Sequence, residues 1–185
     1  FWNRLFYWPT GALGEYSPIL LVLGGLYLLW RRRISWHIPL AMLVAFSAAL
    51  FLFRGEGVTF SRGGLLLGAI FMATDMPTST STKAGKVYFG ALAGLVAFAC
   101  ILFGAQRGYL SYSILIMNAF VVPINWAFRP CTWGKQKFVR KTVLHAAIIT
   151  VAVAATTAAV LLLHNGELIL WPVVAYMTYS VLRFA

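Results

Sequence analysis

Apolar blocks close to membrane length recur from one end of this chain to the other, and basic residues punctuate them. Residues 16–30 run into Arg31-Arg32-Arg33, residues 36–53 into Arg54, and residues 109–128 into Arg129. Further blocks cover 87–104, 142–164 and, more weakly, 167–185, which has Pro172 inside it. A helix needs about 20 mostly apolar residues to cross the hydrocarbon core of a bilayer. The pattern therefore predicts an all-α membrane protein, a polytopic helical bundle.

Composition agrees. The 185 residues are 61% hydrophobic and 10% charged, against about a quarter charged in soluble domains, and mean hydropathy is +0.83. No stretch between the blocks is long enough for a separate soluble domain. In a soluble protein the formal charge of +11 would suggest nucleic acid. Here it reads as basic loops facing the cytoplasm and anionic lipid, and no nucleic-acid partner is expected. Cys100 lies in an apolar run and Cys131 in a basic loop, which gives neither a disulfide framework nor a metal spacing. The N-terminal FWNRLFYWPT has no initiator methionine and no signal-peptide layout. Its Trp, Phe and Tyr suit a membrane interface, and an upstream part is expected to precede Phe1.

The third block, 63–74, is the anomaly. Its 12 residues span roughly 18 Å as a helix, too little to cross alone. It either crosses with help from extended chain or dips in and returns. The count of lysines and arginines on the two faces is the same in both cases. Crossing keeps the Arg31–Arg33 triplet on the same face as the 75–86 loop and the 129–141 linker, and a triplet abutting a helix end is where the orientation signal is strongest. Those three stretches are then expected to be cytoplasmic, with residues 1–15 on the outer side.

This short block carries Gly63, Gly64 and Gly68 and ends in Thr74-Asp75-Met76-Pro77. A discontinuous helix exposes backbone groups at membrane depth, which is tolerable only against protein or a wet cavity. In transporters such helices build the binding site, and a carboxylate there is a site candidate. Read from the residues alone, the plainer role of Asp75 is a turn cap at the interface, its carboxylate accepting backbone N–H bonds near Pro77. The hydroxyl run Thr78-Ser79-Thr80-Ser81-Thr82 is either a solvated loop or a lining for a ligand's phosphate or ring oxygens.

Gly11-Ala12-Leu13-Gly14-Glu15-Tyr16-Ser17-Pro18 reads as a helix start, with Ser17 and an acidic residue at the N-terminus and Pro18 in the first turn. The alternative is that the glycines bring backbone close to a flat ligand while Glu15 holds its polar edge. The 109–128 block is expected to break near Pro123, and Asn118 and Asn125 flank that proline, where interhelical bonding is the ordinary role of asparagine. His145 and His164 have no metal partner at ligand spacing, so no metal site is expected. The residues alone fit a transporter, a channel or a cofactor-holding subunit.

Three motifs in order and spacing carry a resemblance: G-A-L-G-E-Y-S at 11–17, G-G-L-L-L-G-A-I-F-M-A-T-D at 63–75, and S-I-L-I-M-N-A-F-V-V-P-I-N at 113–125. Over about residues 1–137 the chain resembles the C-terminal half of a family of membrane redox subunits. These are the D subunit of Rnf electron-transport complexes and the B subunit of sodium-pumping NADH:quinone oxidoreductases, with the Rnf type nearer. The resemblance implies a urea-transporter-like fold of two five-helix repeats, with 1–137 as the second repeat. It also implies flavin: an FMN held by phosphoester on a threonine of an S-G-A-T motif, which would lie upstream of Phe1, and a second flavin besides. Gly14, Glu15, Thr74, Asp75 and Asn118 carry over as candidate cofactor-lining residues.

Partners would be the iron–sulfur, flavin and membrane subunits of an ion-translocating complex in the cytoplasmic (inner) membrane of a prokaryote. The chain would not be catalytic alone. It departs from the family in having Asn125 where an aspartate is frequent, and M-P-T-S-T after Asp75 in place of P-V-[ST]-x-P. Residues 138–185 add two apolar segments beyond the family's usual end. The competing readings are a passive channel of similar fold without redox chemistry, and a purely structural scaffold.

Overall fold

The protein is described by a computed structural model covering residues 17–53, 60–75, 79–105, 108–129, 139–166, 168 and 170–184. Among these, every regular element is helical. Helix α1 spans Pro18–Trp30, α2 His37–Leu52, α3 Arg62–Leu67, α4 Lys83–Leu102, α5 Tyr109–Ala119, α6 Val121–Ala127, α7 Val139–Asn165 and α8 Leu170–Phe184.

The ends of α1 follow from local chemistry. Ser17 Oγ accepts from the Leu20 amide and Pro18 takes the first helical position, where its missing N–H costs nothing. At the other end Arg32 adopts φ +52. Its amide then donates to the Leu29 carbonyl and the Arg33 amide to that of Leu28, closing orphan carbonyls in a Schellman arrangement. Three guanidinium groups at that end also oppose the helix dipole.

Helix α4 begins at Lys83, four residues before the apolar block does. Thr82 Oγ1 caps the Gly85 amide at 3.1 Å, and a cap outranks hydropathy in fixing a helix start. The block 109–128 divides into α5 and α6 with a 51° bend. The break falls at Phe120 rather than at Pro123, because a proline ring crowds the carbonyl four residues earlier and the bend appears upstream.

Among the described residues two helices, α4 and residues 141–165 of α7, are long and apolar enough to cross a membrane, and the bent α5–α6 pair makes a third if taken as one span. Helices α1 and α2 reach 13 and 16 residues, short of the ~20 that crossing requires.

The core is the pair α2–α4. Gly90 and Gly94, four apart on α4, let its backbone lie on α2: a Cβ at Gly90 would sit 2.6 Å from the Ile38 carbonyl oxygen, and one at Gly94 2.5 Å from that of Met42. Small residues at this spacing allow close helix contact inside a membrane. Around them Ile38, Met42, Phe46, Phe89, Ala93 and Ala97 are buried. The register makes α2 and α4 parallel. The Arg31–Arg33 triplet before α2 and Lys83 and Lys86 at the start of α4 therefore share one end of the bundle. Outward faces carry Leu23, Phe51, Leu115, Val122, Val151 and Leu162 in the open, as lipid contact requires.

Candidate functional site

The third block is the broken helix the sequence led us to expect. Ser61 Oγ caps the Gly64 amide at 3.1 Å, α3 runs for six residues, and Gly68–Met72 then widens into a π-helical turn. The Ala73 amide donates to Gly68, five residues back, at 2.8 Å. Such turns interrupt the regular ladder and recur at functional sites. Close packing accompanies it: Gly25 of α1 faces Ile70, and Gly68 faces Leu110 of α5. Tyr109 anchors the start of the element, its hydroxyl donating to the Ser61 carbonyl at 2.9 Å.

Thr74 and Asp75 follow directly on the π turn. Thr74 is buried and its hydroxyl donates to the Ile70 carbonyl at 2.5 Å. That spends its proton and leaves lone pairs that can only accept. Asp75 is exposed at the end of the element. Asn118 is half-buried in the last turn of α5. Because α5 runs antiparallel to α4, with Ser113 Oγ donating to the Ala93 carbonyl at 2.7 Å, Asn118 lies toward the end of the bundle where α4 begins. Gly14 and Glu15 lie outside the described residues.

A contact the motifs did not reveal joins this end together. Asn125 Oδ1 accepts from the Ser81 amide at 2.9 Å and from its hydroxyl at 3.2 Å. The bonding role expected of Asn125 is thus found, with the hydroxyl loop as its partner. Next to it Thr80 is 1% exposed and its hydroxyl has no hydrogen-bond partner.

Helix α7 is fastened to the same core along its length. Tyr88 donates to the Ala146 carbonyl at 2.7 Å and lies 2.8 Å from Thr150 Oγ1. Tyr112 meets His164 Nδ1 at 3.2 Å, and Trp126 packs edge-on against His145. Interhelical polar contacts of this kind add about 0.6 kcal/mol each within a membrane. Between α4 and α7 remains an apolar groove of about 280 Å³ that Ala99, Ala154 and Leu161 help to line.

The sequence profile of the NQR2, RnfD, RnfE family matches residues 1–134. The chain is 39% identical over 136 residues to the D subunit of the proton-translocating ferredoxin:NAD(+) oxidoreductase complex of Clostridium ljungdahlii, covering 69% of this chain and 41% of that protein. It is 38% identical to the D subunit of the ion-translocating oxidoreductase complex of Stutzerimonas stutzeri, covering 68% of this chain and 38% of the relative. The protein of the same name from Escherichia coli is 36% identical, at 69% and 39% coverage. The chain therefore spans well under half the length of these relatives. Helices α7 and α8 lie beyond the matched residues. By the extent and identity of the match, this chain belongs to the NQR2, RnfD, RnfE family.

Proposed function

We propose that this chain is part of the D subunit of an ion-translocating electron-transfer complex of the ferredoxin:NAD type. In this reading it helps hold flavin and pass electrons across the membrane while the complex moves sodium ions or protons. The observation that carries it is the family match through residue 134, together with relatives that are all named as the D subunit of such complexes. None is named as a channel, so the passive-channel reading has no support of its own.

Residues 1–137 form, in this reading, the second five-helix repeat of a urea-transporter-like domain, and 138–185 are additional membrane segments. The end bearing Arg31–Arg33, Lys83 and Lys86 faces the cytoplasm, in line with the positive-inside tendency, and residues 1–15 lie on the outer side. The membrane is the cytoplasmic one, and the partners are the iron–sulfur, flavin and membrane subunits of the complex.

In this reading the residues at this end supply acceptors for the imide N–H of a flavin ring edge, and one donor, the Asn118 carboxamide, for a flanking carbonyl. That edge presents an imide N–H between two carbonyls, so it needs an acceptor flanked by donors. Thr74 offers lone pairs with its proton already spent, Asn118 a carboxamide of both kinds and Asp75 a carboxylate. Bound flavin would supply one- and two-electron redox chemistry. An FMN phosphoester needs a threonine of S-G-A-T type, absent from this sequence and placed upstream of Phe1 by this reading.

Two measurements test it. The full-length protein should give a flavin-fluorescent band after denaturation; a dark band from cells that flavinylate other proteins counts against the covalent FMN. Asp75→Ala in the assembled complex should lower electron transfer by about ten- to a hundredfold, the size of one lost hydrogen bond to a charged group, with assembly intact. Unchanged turnover would remove Asp75 from the site.

A further inference from the structure

One side chain fastens the loop behind the broken helix across the bundle. Asn125 stands on α6, beyond the 51° bend. Ser81 stands one residue before the cap of α4 and six after Asp75. Their two hydrogen bonds join residues 44 apart in sequence, and both run in one direction, with Ser81 donating twice and Asn125 Oδ1 accepting twice. The position of the loop is thereby tied to the position of the bend.

The loop is held against a local cost. Thr80, adjacent to Ser81, keeps a buried hydroxyl without a partner. Its side chain lies over the first turn of α4, with its Oγ1 3.5 Å from where a Cβ on Gly85 would stand. A buried unpaired hydroxyl favours any rearrangement that returns it to water. The paired bonds from Ser81 to Asn125, with the Thr82 cap beside them, oppose that rearrangement. The Ser81–Asn125 bonds thus hold the loop in place despite the cost of the buried Thr80 hydroxyl.

We propose that Asn125 is a positioning residue that latches residues 79–82 to the α5–α6 bend and so couples movement of that bend to the Thr74–Asp75 end of the broken helix. Its importance for ion coupling rests on the functional reading above; the latch itself does not. The chemistry demanded at position 125 is that of an acceptor alone. Aspartate meets it with a carboxylate oxygen, whereas leucine meets none of it.

The test uses the full-length protein in its assembled complex, reconstituted in vesicles, with two readouts. Amide hydrogen exchange over residues 79–86 reports the latch, and ions moved per electron pair report the coupling. N125L should speed exchange at the Ser81 amide by about tenfold and lower the ion-to-electron ratio at least about threefold. N125D should keep both near wild type, and S81A, which deletes only the hydroxyl bond, should fall between. Unaltered exchange in N125L overturns the latch. Faster exchange with an unaltered ratio overturns the coupling role. If N125L does not assemble, S81A gives the same two readings. A wild-type complex that moves no ions with its electrons would overturn the functional reading instead, leaving the latch to be decided by exchange.

Discussion

Gly94→Leu should abolish accumulation of the folded protein, or leave a species with a strongly lowered denaturation midpoint. The site explains why. A Cβ on Gly94 meets the Met42 carbonyl oxygen at 2.5 Å and the Phe46 amide nitrogen at 3.1 Å. Both are backbone atoms of α2, which cannot step aside without moving the helix. Ordinary overpacking costs about 1–3 kcal/mol because side chains absorb much of it; here they cannot, and the cost should exceed about 3 kcal/mol.

Gly68 gives the contrast. A Cβ there also comes close, at 2.6 Å, but to Leu110 Cδ2, the end of a side chain that can rotate away. Gly68→Ala should therefore lower the midpoint only slightly, by about 1 kcal/mol in stability. Thermal denaturation of the full-length protein in detergent ranks the two variants. Equal midpoints for Gly94→Leu and wild type would show that α2 and α4 do not meet as described.

The same residues show where the sequence was readable. Ser17, Pro18 and the arginine triplet mark the ends of α1 because capping acts within four residues, a range that one sequence displays directly. Pro123 announced a break, and its displacement to Phe120 follows from ring geometry. Thr74-Asp75 was recognisable as the end of a short element for the same local reason. Helices α1 and α2 are shorter than their apolar blocks because apolar runs record where a chain tolerates lipid, whereas helix length depends on where caps and turns fall.

Two features were not legible. Gly90 and Gly94 acquire meaning only from α2, and nothing near them names that partner. The Ser81–Asn125 pair joins residues 44 apart, beyond any period that helix or strand geometry imprints on a sequence. Asn125 was read as a bonding residue without its partner, and the hydroxyl run as a loop or a lining. In the structure the loop has a fixed attachment and one buried orphan in Thr80. Gly14 and Glu15 lie outside the described residues, so their part in the site stays with the functional proposal.

Phe46→Ala should carry the second large effect, and its size depends on the solvent around the bundle. Phe46 is 1% exposed and sits against Phe60, Phe98 and Tyr109, with ring centroids 5.2, 6.0 and 6.5 Å away. In water, truncating such a ring costs about 3–5 kcal/mol, from lost transfer energy and the cavity together. Within a bilayer the separated helices remain in hydrocarbon, so the transfer part largely vanishes and packing decides. A cavity of order 100 Å³ at about 24 cal/mol per Å³ leaves about 2.4 kcal/mol. Aromatic pairing adds about 0.5–1.5 kcal/mol.

Phe51 supplies the control, since it lies on the same helix and is 86% exposed. If its face meets lipid, Phe51→Ala exchanges one apolar contact for another and the midpoint should hardly move. A loss at Phe51 equal to that at Phe46 would mean that protein, not lipid, covers the face. The consequence at Phe46 reaches the candidate site as well. Its cluster packs around Phe60 and Tyr109, and Tyr109 holds the Ser61 carbonyl at the head of the broken helix. A variant that keeps bulk there, Phe46→Leu, should recover about half the stability and hold the Thr74–Asp75 end nearer its place. If the proposed electron-transfer function holds, loss of turnover in the assembled complex should therefore track loss of packing across Phe46→Leu and Phe46→Ala, although neither side chain touches that end.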